Sequence, residues 1–356
     1  MSSGPVALSW EDFDHLIYVR VFEGCNLYCR HCFIPHNPKR LDVADMPRVA
    51  DAVRTFAPPG MRILVQWHGG EPTVFGPAWM TSAIEALERA APELVWRHGI
   101  QTNLMTYSSD WTDIYVRHFG GMVGVSWDPH IREWRGSNEE YENIFWRNMR
   151  RLLADGLTPY LVMTATRPFF ERFANPFTLF EFLEERGVRL AHIERLTKTG
   201  FARRHWADIG VDNATYSRSM SRLAGAYRLW KRRRSTPGLS PFDGLFHAVG
   251  SLRTTSPMGH GCWSGRCDTR FHTFDANGYR AGCTALTAED PVPGVIHIDV
   301  DAWARQRERR QAPCATCRYR PVCSSGCMAS PYLDASGECA GGRRLFEAID
   351  KIVTSG

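Results

Sequence analysis

Short apolar segments alternate with amphipathic ones through the first two thirds of the chain. The apolar segments are rich in β-branched and aromatic residues and end in polar or glycine-containing turns, which predicts strands over residues 16–22, 63–68, 95–102, 122–127, 160–166 and 191–195. Between them, helical spacing of apolar residues predicts helices over residues 47–56, 79–91, 111–119, 141–154 and 177–186. Such alternation is typical of βαβ units with a parallel sheet. Six strands are fewer than the eight of a closed barrel, so we expect an α/β fold: a partial (β/α)6 TIM-like barrel or an open doubly wound sheet, with its site at the carboxyl ends of the strands.

The pattern changes after Thr197. Residues 211–234 predict a helix, and the stretch 235–261, rich in Pro, Gly and Ser, predicts a linker. The remainder is loop-rich and dense in cysteine, and ends in a predicted helix over residues 343–352. We therefore expect the following units: an N-terminal extension (1–15), a barrel (16–210), a helix and linker (211–256), a cysteine-rich domain (257–340) and a C-terminal helix (341–356).

The composition is that of an ordinary globular protein, with 44% hydrophobic and 23% charged residues. No apolar run is long enough to predict a membrane span, and the first residues do not resemble a secretory signal, so we expect a cytoplasmic protein. The net charge is +5, and its densest contributor is the run from Lys231 to Arg234. A solvated helix end explains this run better than a nucleic-acid site does, because exposed aromatic residues do not interleave with it.

The eleven cysteines are unevenly placed. Three lie between Cys25 and Cys32, eight lie between Cys262 and Cys339, and none lies in between. Thiols stay reduced in the cytoplasm, so this distribution indicates metal binding rather than a disulfide scaffold. Two metal-binding regions that flank a cysteine-free body are the simplest interpretation.

The first group, Cys25-Asn-Leu-Tyr-Cys29-Arg-His-Cys32, directly follows the first predicted strand. A [4Fe–4S] cluster normally takes four protein ligands, so three thiolates leave one iron open to an exogenous ligand. A zinc site is the alternative, and it needs a fourth ligand such as His31 or His36.

The Cys-x3-Cys-x2-Cys spacing at a first strand resembles the signature of the radical S-adenosylmethionine (SAM) superfamily. The resemblance implies that the open iron binds the amino and carboxylate groups of SAM. It also implies that reductive cleavage gives methionine and a 5′-deoxyadenosyl radical, which abstracts hydrogen from the substrate. An electron donor such as flavodoxin or ferredoxin is then expected as a partner. The resemblance places His31 near the adenine.

Further motifs follow the predicted strands and strengthen this resemblance. Gly69-Gly70-Glu71 resembles the Gly-Gly-Glu motif that hydrogen-bonds the SAM amino group, and glycines permit close backbone approach. Asn103 follows the third strand, and Ser126-Trp127-Asp128 resembles a Ser-x-Asp motif that faces SAM and substrate. Arg135 is the predicted partner of the SAM carboxylate, because a guanidinium can clamp it with two hydrogen bonds.

The eight later cysteines have a spacing that resembles the SPASM domain, which holds two auxiliary [4Fe–4S] clusters. Carried over residue by residue, the resemblance assigns one cluster to Cys262, Cys267, Cys283 and Cys327, and the other to Cys314, Cys317, Cys323 and Cys339. Full thiolate ligation favours electron transfer or a structural role over substrate binding. Two zinc sites with four thiolates each are the alternative from spacing alone.

Two hypotheses for the reaction stay open. One is cross-linking or oxidation of a side chain in a ribosomally made peptide or protein, and the other is dehydrogenation or epimerisation of a sugar-derived or similar small molecule. Sulfatase-maturating relatives carry an Asp base directly after the cysteine that matches Cys283, and here Thr284 takes that position. Only about 15 residues precede the first strand, too few for a leader-binding domain.

Several residues at the predicted strand ends could transfer protons: His68, Glu71, Asp128 and Arg195. Spacing does not choose among them. Trp127, Trp134 and Trp146 predict either an apolar groove for a peptide or aromatic core packing.

Overall fold

A computed structural model of the chain describes residues 9–267, 269–282, 284–285 and 300–355, with side chains described from residue 305 onward in the last range. Its strands are β1 (His15–Phe22), β2 (Tyr28–Cys29), β3 (Arg62–Gly69), β4 (Val95–Thr102), β5 (Met122–Ser126), β6 (Arg132–Glu133), β7 (Thr158–Ala165), β8 (Leu190–Arg195), β9 (Gly238–Ser240), β10 (Phe271–Asp275) and β11 (Gly278–Ala281). Its helices are α1 (Met46–Arg54), α2 (Pro77–Ala90), α3 (Thr112–Phe119), α4 (Asn138–Ala154), α5 (Arg167–Arg172), α6 (Pro176–Glu185), α7 (Trp206–Ile209), α8 (Asn213–Lys231), α9 (Phe242–Ser251), α10 (Val300–Gln311) and α11 (Arg343–Thr354).

The described residues form one nine-stranded sheet with the order β11-β10-β1-β3-β4-β5-β7-β8-β9. Its neighbouring strands are parallel except for the antiparallel pair β10 and β11. The six predicted strands are β1, β3, β4, β5, β7 and β8 and lie consecutively in its centre. The predicted α/β fold is therefore confirmed, and β9 and β10 extend its parallel sheet by one strand on each side.

The two faces of the sheet differ in chemistry. Along β1, Ile17, Val19 and Val21 are fully buried in the main core together with side chains of the surrounding helices. Each such side chain stabilises the fold by about 1.5–3 kcal/mol. Tyr18 and Arg20 alternate with them and therefore point to the opposite, helix-free face, which we call the inner face.

The predicted linker over residues 235–261 is wrong. It contains β9, which pairs with β8, and the helix α9. Apolar residues of α9 at helical spacing, Phe242, Leu245 and Val249, join the main core. The Pro and Gly residues before the helix are typical of linkers, and they led to the wrong prediction.

The C-terminal part of the chain is joined to the barrel through the sheet itself. Strand β10 pairs with β1, with Phe271 opposite Leu16 and Phe274 opposite Val19. The sheet thus crosses the boundary expected near residue 256. Helix α10 was not predicted, whereas the predicted C-terminal helix is α11 and packs on α8 and α9. Among the described helices, none has both the length and the apolar character that a membrane span requires.

Candidate active site

The first cysteine group lies in the loop after β1, which we call the Cys25 loop (residues 25–32). Its strand β2 pairs with β6 and closes the loop over the end of the sheet. Burial raises the pKa of Cys29 to about 12, and the charge of Cys32 adds to this effect. Burial also raises the pKa of Cys25, with a further contribution from Cys29. The three thiols are therefore close enough to influence one another electrostatically.

Two side chains from other elements donate hydrogen bonds to these sulfur atoms. Asn103, at the end of β4, lies with its Nδ2 3.6 Å from Sγ of Cys25. Arg132, on β6, lies with its Nη1 3.7 Å from Sγ of Cys29. Donors of this kind stabilise sulfur in its anionic form, which is the form that binds metal.

The Gly69-Gly70 turn brings the end of β3 against the start of the Cys25 loop. The amide of Gly70 donates to the carbonyl of Phe22 at 2.7 Å. A Cβ atom on Gly70 would lie 1.9 Å from the carbonyl oxygen of Gly24, and Gly69 has φ +134°. Only glycine fits both positions without a backbone shift.

Glu71 is buried and ties this turn to the end of β4. Its Oε1 accepts hydrogen bonds from the hydroxyls of Thr73 and Thr102, each at 2.7 Å, and its Oε2 accepts one from the amide of Asn103 at 2.7 Å. Burial raises the pKa of Glu71, and these hydrogen bonds oppose the shift. Because both oxygens have internal donors, the geometry favours a positioning role for Glu71 over the predicted proton transfer.

Asp128 is also fully buried, and both of its oxygens have partners. The backbone amide of Thr164 donates to Oδ1, and Arg132 donates to Oδ2 from Nε at 2.8 Å and lies with Nη2 2.7 Å from it. Burial alone would lower the pKa of Arg132, but the charge and hydrogen bond of Asp128, together with the charges of Cys29 and Tyr141, raise it. Asp128 thus orients the guanidinium that faces Cys29.

The predicted arginine does not lie at this site. Arg135 lies on an exposed turn with φ +50°, and its guanidinium stacks over Trp134 at 5.5 Å. Arg132 is the buried guanidinium. The spacing of Asp128 and Arg132, four residues apart, was the sequence signal that could have identified it.

His31 lies beside this ion pair, with Nε2 3.5 Å from Oδ2 of Asp128. Burial lowers the pKa of His31 to about 4, so the ring is neutral at pH 7. Its Nδ1 is buried without a hydrogen-bond partner among the described residues, as is Nδ2 of Asn26 in the same loop. Two buried, unpartnered polar atoms in one loop are consistent with a bound group that completes their hydrogen bonds.

The inner face holds the other predicted polar residues. Ser126 accepts a hydrogen bond from Nε2 of Gln101 at 2.7 Å. His68 stacks on Phe33 with ring centroids 6.2 Å apart, and its buried Nδ1 has no partner within the described chain. Burial lowers the pKa of His68 to about 4, with a further contribution from the charge of Arg20. A neutral His68 can therefore offer a hydrogen-bond acceptor to a molecule inside the barrel.

The predicted tryptophan groove is absent from the described structure. Trp127 is fully buried and packs against Trp146 and Phe182, with ring centroids 5.3 and 5.0 Å apart. This is aromatic core packing on the helix-covered face. Arg195 likewise turns away from the site and donates to the carbonyl of Ala340 in the C-terminal region.

A row of polar side chains on β8 and β9 was missed by the sequence interpretation. Nδ1 of His192 lies 2.8 Å from the hydroxyl of Ser240, and its Nε2 lies 3.1 Å from Oε2 of Glu194. These residues alternate with Ala191, Ile193 and Leu239 of the main core, so they project from the inner face. The signal was present, since a His-x-Glu alternation along a strand places both side chains on one face.

Glu194 links this row to the C-terminal cysteines. Desolvation would raise the pKa of Glu194, but the hydrogen bond and the charge of His192, together with the amide of Arg195, lower it. The hydrogen bond between Cys262 and Cys327 and the burial of Cys262 raise the pKa of Cys262, and the charge of Glu194 adds to this shift. The row therefore lies near these two thiols.

The C-terminal cysteines fall into two neighbourhoods. Cys262 and Cys327 hydrogen-bond to each other, and Cys267 contributes to the electrostatic environment of Cys262. Cys283, the fourth member of the predicted set, lies outside the described residues, whereas Thr284 is described and buried.

The second neighbourhood is centred on Tyr332. Its hydroxyl lies 3.4 Å from Sγ of Cys314, and Cys314, Cys339 and Cys317 all act on its pKa, which burial raises. Cys323 lies in the same group, because Cys339 and Cys314 add to the burial that raises the pKa of Cys323 to about 12. The described thiols therefore form two neighbourhoods, and the cluster sets that the resemblance assigns stay a prediction.

In the described part of the chain, no three Cys, His, Asp or Glu side chains stand at metal-binding distance from one common point, and this holds for the Cys25 loop with or without His31 or His36. The loop instead offers three soft thiol donors, hydrogen-bond donors aimed at two of them, and unpartnered polar atoms beside them. Thiolates are the ligands that iron–sulfur clusters take, so the donor set fits a cluster.

Comparison with known proteins defines the class. The family model described as the radical SAM superfamily matches residues 19–162, which include the second half of β1, the Cys25 loop, the Gly-Gly-Glu turn and Asp128. The chain therefore contains a radical SAM domain, and the protein is a radical SAM enzyme that uses SAM and an iron–sulfur cluster.

The serine-type anaerobic sulfatase-maturating enzymes of Klebsiella aerogenes and Klebsiella pneumoniae are similar to the whole chain. They are 23% and 22% identical to it over 94% of its length, and 85% and 87% of their own lengths. The solved structure of native anSMEcpe with bound AdoMet has a TM-score of 0.70 at 14% identity and covers 96% of this chain and 100% of that one. The structure of Streptococcus suis SuiB bound to precursor peptide SuiA has a TM-score of 0.61 at 15% identity and covers 91% of this chain and 76% of that one.

Proposed function

We propose that this enzyme oxidises or cross-links a side chain of a ribosomally made peptide or protein. One observation carries the proposal: the likeness to sulfatase-maturating enzymes runs through 94% of this chain, across both the barrel and the cysteine-rich C-terminal region. Two solved structures with this fold hold peptides, namely anSMEcpe with the Cp18Cys peptide and SuiB with SuiA.

Within this proposal, Cys25, Cys29 and Cys32 hold the cluster that binds SAM, and together the cluster and SAM supply a 5′-deoxyadenosyl radical for hydrogen abstraction. Asn103 and Arg132 hydrogen-bond the sulfur ligands. Two auxiliary clusters take the C-terminal cysteines in the predicted sets, with Cys262, Cys267, Cys283 and Cys327 in one and Cys314, Cys317, Cys323 and Cys339 in the other. These auxiliary clusters serve as electron acceptors or as structural centres.

Oxidation also requires a group that accepts a proton, and Thr284 has no carboxylate to offer. We assign this role to Glu194, working through His192 and Ser240. For a substrate with an H–C–O–H unit, the carbon loses a hydrogen atom to the 5′-deoxyadenosyl radical. Glu194, acting through His192 and Ser240, would take the hydroxyl proton, and an iron–sulfur centre held by the C-terminal cysteines would supply the acceptor for the remaining electron, so that the C–O bond becomes C=O. The position of Glu194 near Cys262 and Cys327 supports this assignment, because proton and electron can leave on the same side of the substrate.

The same row favours a second candidate, a dehydrogenase or epimerase for a hydroxylated small molecule such as a sugar-derived metabolite. Ser240, His192 and Tyr18 present hydrogen-bonding groups on the inner face, and such groups suit a polyhydroxylated ligand.

The test combines metal analysis with product detection. After anaerobic reconstitution, three cubane clusters predict about twelve iron atoms per chain. The enzyme, SAM and dithionite are then incubated with short peptides encoded beside its gene and, separately, with sugar-derived metabolites. A peptide that loses about 2 Da, the mass of two hydrogen atoms, while 5′-deoxyadenosine forms supports the proposal. Turnover of a metabolite and of no peptide would replace it with the second candidate.

A further inference from the structure

The outer side of the Cys25 loop carries an unusually exposed aromatic side chain. Tyr28 is 66% exposed, the highest value among the large apolar residues of the described chain. It directly precedes the cluster cysteine Cys29, which is buried. In β2 the two side chains point to opposite faces, so the tyrosine faces solvent while the thiol faces the site.

Tyr28 belongs to a surface group of three rings, which we call the Tyr28 patch: Tyr28, His36 and Phe201. The rings of Tyr28 and Phe201 are stacked, with centroids 5.8 Å apart and an interplanar angle of 6°. The ring of His36 lies 5.0 Å from Tyr28 and 5.2 Å from Phe201. The three rings do not contribute to core packing, since none of them belongs to a buried hydrophobic cluster of the described residues.

The patch is fixed to the backbone of the cluster loop. The amide of Phe201 donates to the carbonyl of Cys32 at 2.8 Å. Gly200 permits this approach, because a Cβ atom there would lie 2.4 Å from the same carbonyl oxygen, and its φ is +53°. A molecule that contacts the patch therefore contacts residues that are directly connected to Cys29, through the peptide bond of Tyr28, and to Cys32, through the hydrogen bond of Phe201.

The segments that build the patch are cationic. Residues 24–41 and 196–207 together contain six Lys or Arg residues, and the acidic residues that border them are Glu23, Asp42 and Asp208, of which Asp42 lies 3.4 Å from Arg40. Arg204 is exposed and lies 5.7 Å over the ring of Phe201, and Lys39 is exposed as well. The neighbouring carboxylate of Glu133 on β6 is paired with Arg30 at 3.0 Å. An aromatic centre within a cationic rim is suited to an acidic protein partner.

We propose that the Tyr28 patch and its cationic rim form the docking surface for an acidic electron-carrier protein, a flavodoxin or a ferredoxin. The carrier gives up one electron for each SAM cleaved. That electron breaks one C–S bond of the sulfonium and yields methionine and the 5′-deoxyadenosyl radical. Docking here places the redox group of the carrier beside the backbone that holds Cys29 and Cys32, which shortens the path of the electron.

The experiment compares two reductants and does not need the substrate. Tyr28→Ala and Arg204→Glu are combined in one variant, and Leu229→Ala with Arg232→Glu serves as the matched control, because it also removes an exposed apolar side chain and reverses an exposed cation. Binding of oxidised flavodoxin is measured by flavin fluorescence, and SAM cleavage is measured as 5′-deoxyadenosine formed with reduced flavodoxin or with dithionite.

We expect the patch variant to bind flavodoxin about tenfold more weakly and to lose SAM cleavage driven by flavodoxin in proportion. Cleavage driven by dithionite should stay unchanged, and the control variant should behave as the unmodified protein. Raising the salt from about 0.05 M to about 0.3 M should weaken binding to the unmodified protein more than to the variant.

Three results would overturn the inference: equal flavodoxin affinity in both variants, an equal loss in the control, or a loss of dithionite-driven cleavage in the patch variant. The last result would assign Tyr28 and Arg204 to the integrity of the cluster loop. The assay contains no peptide, so failure here leaves the proposed side-chain modification standing, and failure to find a peptide substrate leaves this inference standing.

Discussion

The Cys25 loop and the C-terminal cysteine region (residues 262–339) hold thiols by different means. The Cys25 loop is framed by side chains of the barrel, with Asn103 from β4 and Arg132 from β6 donating to its sulfur atoms. Among its described residues, the C-terminal region has little core of its own, since their separate buried cluster consists of Met328 and Ala329. The comparison indicates that the fold prepares the first site, whereas under the proposed cluster assignment metal binding would help to fold the second.

Hydrogen bonds within the C-terminal region lead to the same conclusion. The guanidinium of Arg310 donates to the carbonyls of Cys327, Met328 and Ser330, and so pins one stretch of backbone from α10. Burial lowers the pKa of Arg310, which shows that this cation is held at an electrostatic cost. A region with such a small core gains most from clusters that cross-link it.

The largest expected effect comes from removing the first site. Replacing Cys25, Cys29 and Cys32 together with Ala should abolish 5′-deoxyadenosine formation, because in the proposed assignment only this set of cysteines leaves an iron open for SAM. About eight of twelve iron atoms should remain, bound in the C-terminal region. Retention of SAM cleavage, or loss of all iron, would show that the two regions are not independent.

The second effect concerns Glu194, which lies between the two regions. Glu194→Gln should lower product formation by about 10²–10⁴-fold, because it removes the proton acceptor. Formation of 5′-deoxyadenosine should persist with whichever substrate the incubations with peptides and metabolites identify. Glu184→Gln, on the exposed part of α6, is the control. Equal losses of product and 5′-deoxyadenosine would instead assign Glu194 to substrate binding or folding.

Removal of metal should separate the regions most clearly. With iron chelated, we expect amide hydrogen exchange in residues 305–339 to speed up by about 10²-fold, while β1, β3 and β4 stay protected. Mass spectrometry of exchanged peptides measures both regions in one sample. Equal loss of protection in the two regions would contradict the comparison.

A smaller effect, on the unfolding free energy, is expected from Glu71, which connects the Gly69-Gly70 turn to the end of β4. Glu71→Ala leaves the hydroxyls of Thr73 and Thr102 and the amide of Asn103 without their acceptor, and should cost about 2–4 kcal/mol of unfolding free energy. Urea denaturation of the metal-free protein measures this cost. Glu85→Ala, an exposed position on α2, should change the free energy by less than about 0.5 kcal/mol.

The smallest expected effect is that of Arg135→Ala on SAM cleavage, which we compare with that of Arg132→Ala in the same segment. Arg135→Ala should alter SAM cleavage by less than about twofold, because exposed side chains contribute little. Arg132→Ala should reduce it by at least about tenfold, since Asp128 is then buried without its cation. Equal losses of SAM cleavage in the two variants would show that Arg135 also acts at the site.

Particular residues show how far the sequence could predict this structure. The six central strands were predicted to within a few residues, because alternating apolar side chains must fill one face of the sheet. The β9 strand and α9 were missed, since Pro237 and Gly238 look like a linker until β8 offers an edge to pair with. Arg135 was preferred over Arg132 because spacing reveals no burial, and which arginine turns inward depends on contact with Asp128.

The polar row on β8 and β9 could not be predicted either, because it depends on contacts between distant parts of the chain. His192 and Ser240 are 48 residues apart, and only the pairing of β8 with β9 brings them to 2.8 Å. The cysteine spacing, by contrast, is a local signal that can be recognised without any strand pairing, and the cluster sets inferred from it stay a prediction.

The most direct measurement is the electron paramagnetic resonance spectrum of the reconstituted, reduced full-length protein before and after addition of SAM. Binding of SAM to an iron that lacks a protein ligand predicts a change in the signal of one cluster, and the same signal should be missing when Cys25, Cys29 and Cys32 are replaced. A spectrum that SAM leaves unchanged, or zinc in place of iron at the Cys25 loop, would contradict the account.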